Sequence, residues 1–92
     1  RTLYGAEAKY LSAQLMYNAG EYAAAEKEIL NFIDQSTPHA YWLARSFILL
    51  SDVYVAMDKK LDARQYLLSL QQNYHADDDI ERMIQERLEK LK

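Results

Sequence analysis

Ala40–Met57, AYWLARSFILLSDVYVAM, is the stretch from which the fold of this chain is read. Apolar side chains occupy nearly every face of its roughly 18 residues, which at ~1.5 Å per residue make a buried helix long enough to touch several neighbours. Leu43, Phe47, Leu50 and Tyr54 make one stripe at helical spacing, and Trp42, Leu49, Val53 and Ala56 make another. The helix is therefore expected to lie between at least two others, as the hub of the fold. One line differs: Tyr41, Arg45, Ile48, Asp52 and Val55 mix polar with apolar character, which suits a face left open to solvent or to a partner.

Working toward the N-terminus, Leu3, Ala6, Tyr10, Ala13 and Tyr17 recur at helical spacing, with Tyr4, Ala8, Leu11 and Leu15 alongside, predicting a first helix over about Leu3–Ala19. Gly20 is placed to end it by accepting a left-handed backbone without a Cβ penalty. A second helix, about Glu21–Asp34, turns Tyr22, Ala25, Ile29, Leu30, Phe32 and Ile33 inward, and the first two helices form a hairpin. Gln35-Ser36-Thr37-Pro38 breaks the pattern, with Thr37 read as the N-cap of the hub helix and Pro38 at its first position.

Beyond the hub, Asp58 is suited either to a left-handed turn or to capping the next helix. That fourth helix, about Lys59–Asn73, is expected to pack through Leu61, Ala63, Leu67, Leu68 and Leu70. Asp77-Asp78-Asp79 opens a fifth, in which Asp78 and Glu81 have the spacing of a capping box, while Arg87, Lys90 and Lys92 stand toward the C-terminal end as the helix dipole prefers. Only Ile80, Met83, Ile84, Leu88 and Leu91 are apolar there, so this helix is expected at the surface, covering the exposed side of the fourth.

Composition bounds the rest. Ninety-two residues, 50% of them hydrophobic with two glycines and one proline, make a single mostly helical domain near the size at which one core just suffices. A formal charge of −3 supplies no broad positive field, so nucleic acid is disfavoured as a partner. No apolar run approaches the ~20 residues of a membrane span, so a soluble domain without membrane insertion is expected. No cysteine is present, and hence no disulfide framework or thiolate chemistry. The opening Arg1-Thr2-Leu3, without an initiator Met or signal pattern, is expected to belong to the C-terminal piece of a longer protein.

Sliding the chain along itself by 38 residues pairs Ala6 with Ala44, Leu11 with Leu49, Ala13 with Ser51, Ala25 with Ala63, Ile29 with Leu67 and Leu30 with Leu68, so that small residues coincide where two helices must cross closely. The first copy reads Ser12-Ala13, Met16, Gly20, Tyr22, Ala25, Ile29, Phe32, and the second Phe47, Leu50-Ser51, Tyr54, Ala63, Leu67, Leu70. This resembles the tetratricopeptide repeat, a 34-residue helix–turn–helix unit. Lys9 and Ser12 depart from its large apolar positions, Asp58 stands for its turn glycine, and the spacing is four residues longer. The resemblance implies a right-handed superhelix of two antiparallel hairpins (1–35 and 36–75) plus a capping helix (76–92). The phrasing around Tyr10-Leu11 and Gly20-Glu21-Tyr22 looks most like repeats of bacterial cell-envelope assembly proteins, which favours the periplasm or envelope over the cytoplasm.

In that family the first helix of each repeat lines a concave groove that binds peptides or helices. By resemblance, Glu7, Tyr10, Gln14, Tyr17 and Asn18 would face the groove from the first helix, and Arg45, Ile48, Asp52 and Val55 from the hub, with Tyr41 on its extra turn. Tyrosines would supply rigid contact area and Arg45 a bidentate carboxylate contact. Tyr10 and Gln14 stand where the family's carboxylate clamp would need a basic and an amide residue, so that clamp is rejected. The aspartate run lacks the loop glycine and spaced ligands of a calcium site and is read as capping, and His39 and His75 as solvated connection residues. There is no phosphate-cradling glycine loop, no H-E-x-x-H and no nucleophile elbow, so no catalytic residue, cofactor or metal is expected. The expected activity is protein–protein interaction with a peptide or helix. The alternatives are a structural or self-associating terminal module of a longer array, or a regulatory domain of an upstream enzyme.

Overall fold

Two left-handed residues set where the chain reverses. The computed structural model describes residues 3–34 and 39–92, and its five helices are α1 (Leu3–Asn18), α2 (Tyr22–Asp34), α3 (Ala40–Ala56), α4 (Lys60–Asn73) and α5 (Ile80–Lys90). No strand occurs among the described residues. Gly20, at φ 80°, ends α1: the Glu21 N–H donates to the Met16 carbonyl at 2.9 Å and the Gly20 N–H to Tyr17 at 3.0 Å, closing the last turn. Thirty-eight residues on, Asp58 at φ 62° does the same, with Lys59 donating to Tyr54 at 2.7 Å and Asp58 to Val55 at 3.0 Å. The sequence offset thus holds bond for bond in the two turns, and of its two candidate roles Asp58 takes the turn.

A Cβ at Gly20 would meet nothing within 4 Å, so only its backbone angle resists substitution. Gly20→Ala is expected to destabilise by about 1–2 kcal/mol. Asp58→Gly, which relieves a Cβ already held in that region, should stabilise by up to about 1 kcal/mol. Urea unfolding of both variants checks this, and equal midpoints would contradict it.

α3 touches all four other helices. α1 and α2 pack against each other and on one flank of α3; α4 packs beside α3, and α5 crosses both. One buried cluster joins Tyr10, Ala13, Ala25, Ile29, Leu49, Leu50, Val53, Tyr54 and Ala63; a second joins Ala44, Ile48, Leu67, Leu70, Ile80 and Ile84. The small residues aligned by the repeat, Ala13, Ser51, Ala25 and Ala63, are each no more than 1% exposed, as close helix crossing demands. Ser46 and Ser51 are buried as well, but their hydroxyls donate to the Trp42 and Ile48 carbonyls of their own helix, so no polar group is stranded there.

Some expectations are corrected. Leu61 is 80% exposed and Ala56 is exposed, because both point away from the α3–α4 contact. α3 begins at Ala40 with His39 as its N-cap residue; Thr37 and Pro38 lie outside the described residues. The Asp78–Glu81 capping box does not form. Asp78 accepts a 3.0 Å bond from the Ile80 N–H, but Glu81 receives the amides of Gln71 and Gln85 instead of reaching back. α5 covers α3 as well as α4, since Ile80 and Ile84 are buried with both Ala44 and Ile48 and Leu67 and Leu70.

Candidate partner-binding face

α1 and α5 flank α3 with no close backbone approach to each other among the described residues, and between them, reaching Lys60 and Leu67 of α4, lies a groove of about 1040 Å³. Tyr17 forms its α1 wall, Asp52 and Val55 its floor, and Arg87 and Lys90 of α5 with Leu91 just beyond it the opposite wall. Arg87 grips Asp52 with both arms of its guanidinium, Nε to Oδ1 at 2.9 Å and the other nitrogen to Oδ2 at 3.0 Å. With the side chains 27% and 24% exposed, the pair is partly shielded and bidentate, the geometry in which an ion pair fixes orientation. Burial, and next the Asp52 charge, raise the Tyr17 pKa, so its hydroxyl stays protonated on the groove wall.

A hydrogen-bond relay occupies the other end of this face. Asp79 at the start of α5 accepts from the Tyr41 hydroxyl at 2.9 Å, and Arg45 donates to the hydroxyls of Tyr41 at 2.9 Å and Tyr10 at 3.0 Å. Tyr10 donates to Gln14 at 3.0 Å, and Gln14 donates to Asn18 at 3.0 Å. The Arg45 guanidinium lies 5.0 Å from the Tyr10 ring centre, 5.8 Å from Tyr41 and 5.9 Å from Trp42, an aromatic box for a cation. Burial opposes the Arg45 charge, but the bonds to Tyr41 and Tyr10 outweigh it and raise its pKa above the ordinary arginine value. The relay ties α1, α3 and the start of α5 together.

The eight residues expected to face a partner therefore divide. Tyr10, Gln14, Asn18, Tyr41 and Arg45 are joined in the relay; Tyr17 and Asp52 line the groove. Ile48 lies in neither: at 1% exposed it is enclosed beneath α5 with Ile80 and Ile84, because α5 covers the side of α3 that the line of five left open. Tyr10 is 6% exposed, its ring packed 5.5 Å from that of Trp42, so only its hydroxyl edge reaches the face. Arg45 spends both terminal nitrogens on tyrosines and is not a free fork for a carboxylate. Glu7 is half-buried and Val55 is 39% exposed.

Sequence reasoning missed Arg87, Lys90 and Leu91, having assigned α5 to covering alone, and Asp79, which it grouped with the capping acids. The available signal was the repeat offset carried one step further, which places Lys90 level with Asp52; it sets Arg87 and Leu91 level with the buried Leu49 and Val53 and so does not point them to the groove. Among the described residues no group of three or more His, Cys, Asp or Glu could hold a metal ion, and no helix is long and apolar enough to cross a membrane. No protein-family model, curated protein or solved structure matches the chain.

Three tyrosines give the fold an alkaline limit. Burial, then the hydrogen bond donated to Glu26 at 2.8 Å, raises Tyr54; burial, then the bond to Asp78, pushes Tyr74 up to about 12; Tyr17 is raised as well. Each folded-state value lies above the ordinary 10.0, so their contribution is complete below pH 10 and lost as pH rises through the folded values. The melting temperature is expected to hold to pH 10 and fall from there to pH 12, with a shallower fall in Tyr74→Phe. A phenolate titration centred at the ordinary value, with no loss of melting temperature, would contradict it.

Proposed function

We propose that this chain is a non-catalytic interaction module, a tetratricopeptide-like right-handed superhelix of two hairpins and a capping helix, that holds a peptide or helix of a protein partner in the groove between α1 and α5. The observation that carries this reading is the groove itself: an apolar floor around Val55 edged by charges of both signs, Asp52 paired with Arg87 below and Glu86 and Lys90 on the rim. An amphipathic helix would lay its apolar side on that floor and its charges against the rim. The matched left-handed turns at Gly20 and Asp58 support the repeat architecture. The relay serves as scaffolding that holds the three helices at the spacing the groove needs. The module acts by recognition; with a net charge of −3 its partner is protein and not nucleic acid.

The test uses the immobilised chain and a Val55→Glu, Lys90→Glu variant, both positions being exposed and outside the core. A protein retained from soluble and envelope fractions by the wild type, and at least about tenfold more weakly by a variant of equal melting temperature, is the expected result. Equal retention by both chains, or by neither, would remove the groove as the binding site.

A further inference from the structure

The charges around the groove are not equally available to a partner. Three carboxylates line it, Asp52, Glu86 and Glu89, and each already has a cation beside it. Asp52 takes both arms of Arg87, Glu86 stands 3.3 Å from Arg82, and Glu89 stands 3.2 Å from Lys92. Two lysines on the lining are different. Lys60, the first residue of α4, and Lys90, the last of α5, have no ion pair among the described residues. The Tyr17 hydroxyl on the α1 wall has no hydrogen-bond partner among them either, and burial followed by the Asp52 charge keeps it protonated, a donor.

With the ion-pair partners included, five cations stand around this groove against three carboxylates, in a chain whose formal charge is −3. The remainder of the chain is therefore more acidic than its total, and the positive potential a partner meets is confined to the groove. The hollow on α4, about 400 Å³ and lined by Gln65, Leu68, Ser69, Gln71 and Gln72, has no charged side chain with which to select a partner.

We infer that the groove selects an acidic amphipathic peptide segment, one that sets apolar side chains on Val55 and Leu91 and carboxylates against Lys60 and Lys90, with the Tyr17 hydroxyl as a further donor. The inference rests on the groove being the binding site and adds the chemistry of what it takes. A basic segment would meet only carboxylates already paired, and would bring its own cations up to two lysines; an acidic one meets those lysines with no existing pair to break. Arg87 stays on Asp52, since both carboxylate oxygens are engaged and the pair holds the floor. A lysine ammonium is a point charge on a flexible stem, without the fixed fork of arginine, so the selection is for acidic character near an apolar residue and not for one exact spacing.

The test displays random peptides of about 12 residues, selects those retained by the immobilised chain, and measures their affinity by fluorescence anisotropy. Three variants are compared: Val55→Asn, which puts an uncharged amide on the apolar floor; Lys60→Gln with Lys90→Gln; and Lys60→Glu with Lys90→Glu. All three positions are exposed, so each variant should melt within about 3 °C of the parent. The retained peptides should carry an excess of Asp and Glu over Lys and Arg. They should bind both Val55→Asn and the double Gln variant about tenfold more weakly, and weaken as salt is raised from about 50 mM to about 500 mM. The double Glu variant should select Lys and Arg instead, a reversal that damaged packing would not produce. Peptides weakened by Val55→Asn but without an acidic excess, or indifferent to both lysines, would overturn the inference and leave the groove as the binding site. Peptides that bind Val55→Asn as well as the parent, or the retention of none, would overturn both.

Discussion

Leu50→Ala is expected to lower the stability of this chain by about 2–5 kcal/mol. Leu50 is 0% exposed, on the hub helix, in the cluster that also holds Ala25 and Ala63, the small residues of α2 and α4. Alanines cannot reach into the space a leucine vacates, so little collapse relieves the cavity. For a domain of this size the loss lowers the melting temperature by at least about 8 °C. Leu61→Ala, at a position 80% exposed, is the internal control and should stay within about 0.5 kcal/mol of the parent. Urea denaturation measures both. A loss at Leu50 below about 1 kcal/mol would mean that the hub is not enclosed from both sides.

A chain ending at His75, without α5, should self-associate. α5 covers Ile48 and Leu67, each 1% exposed, and Leu70 at 6%, and its removal turns them into one apolar patch. It also takes away the Arg87 partner of Asp52 and the Asp79 acceptor of Tyr41, so the groove loses a wall and the relay an end. Sedimentation should show oligomers, and a dye that fluoresces on apolar surface should bind the shortened chain and not the parent. Ile84→Asp in the 92-residue chain sets an unpaired carboxylate at a position 0% exposed and should lose several kcal/mol of stability for the same reason. A shortened chain that remains monomeric, dye-free and fully helical would refute the covering role of α5.

The groove was half legible in advance. Helical spacing puts Asp52 on the mixed line of α3, and the repeat resemblance implies that Tyr17 of α1 faces the same groove. Arg87, which defines what Asp52 does, lies on another helix 35 residues away, and nothing local connects them. In the sequence Arg45 offers a bidentate carboxylate contact, but an arginine among tyrosines can also be boxed in by their rings. The second holds, since α1 brings the Tyr10 ring within 5.0 Å.

What the sequence by itself determined is what depends on near neighbours. Five helices, the left-handed turn at Gly20, the small residues at the crossings and the 38-residue offset all come from periodicity and backbone sterics, which act over a few residues. What only the tertiary structure decided is which side of each helix meets water. α3 is apolar nearly all round, so its own pattern cannot choose its open side; α5, settling over Ile48 and leaving Val55 bare, makes the choice. Leu11, Leu15 and Leu61 are as apolar as Leu49 and Leu67, yet stand in water because no helix among the described residues covers them. Burial belongs to pairs of elements and not to a residue, which is why the helices can be read from the chain and the face between α1 and α5 only from their packing.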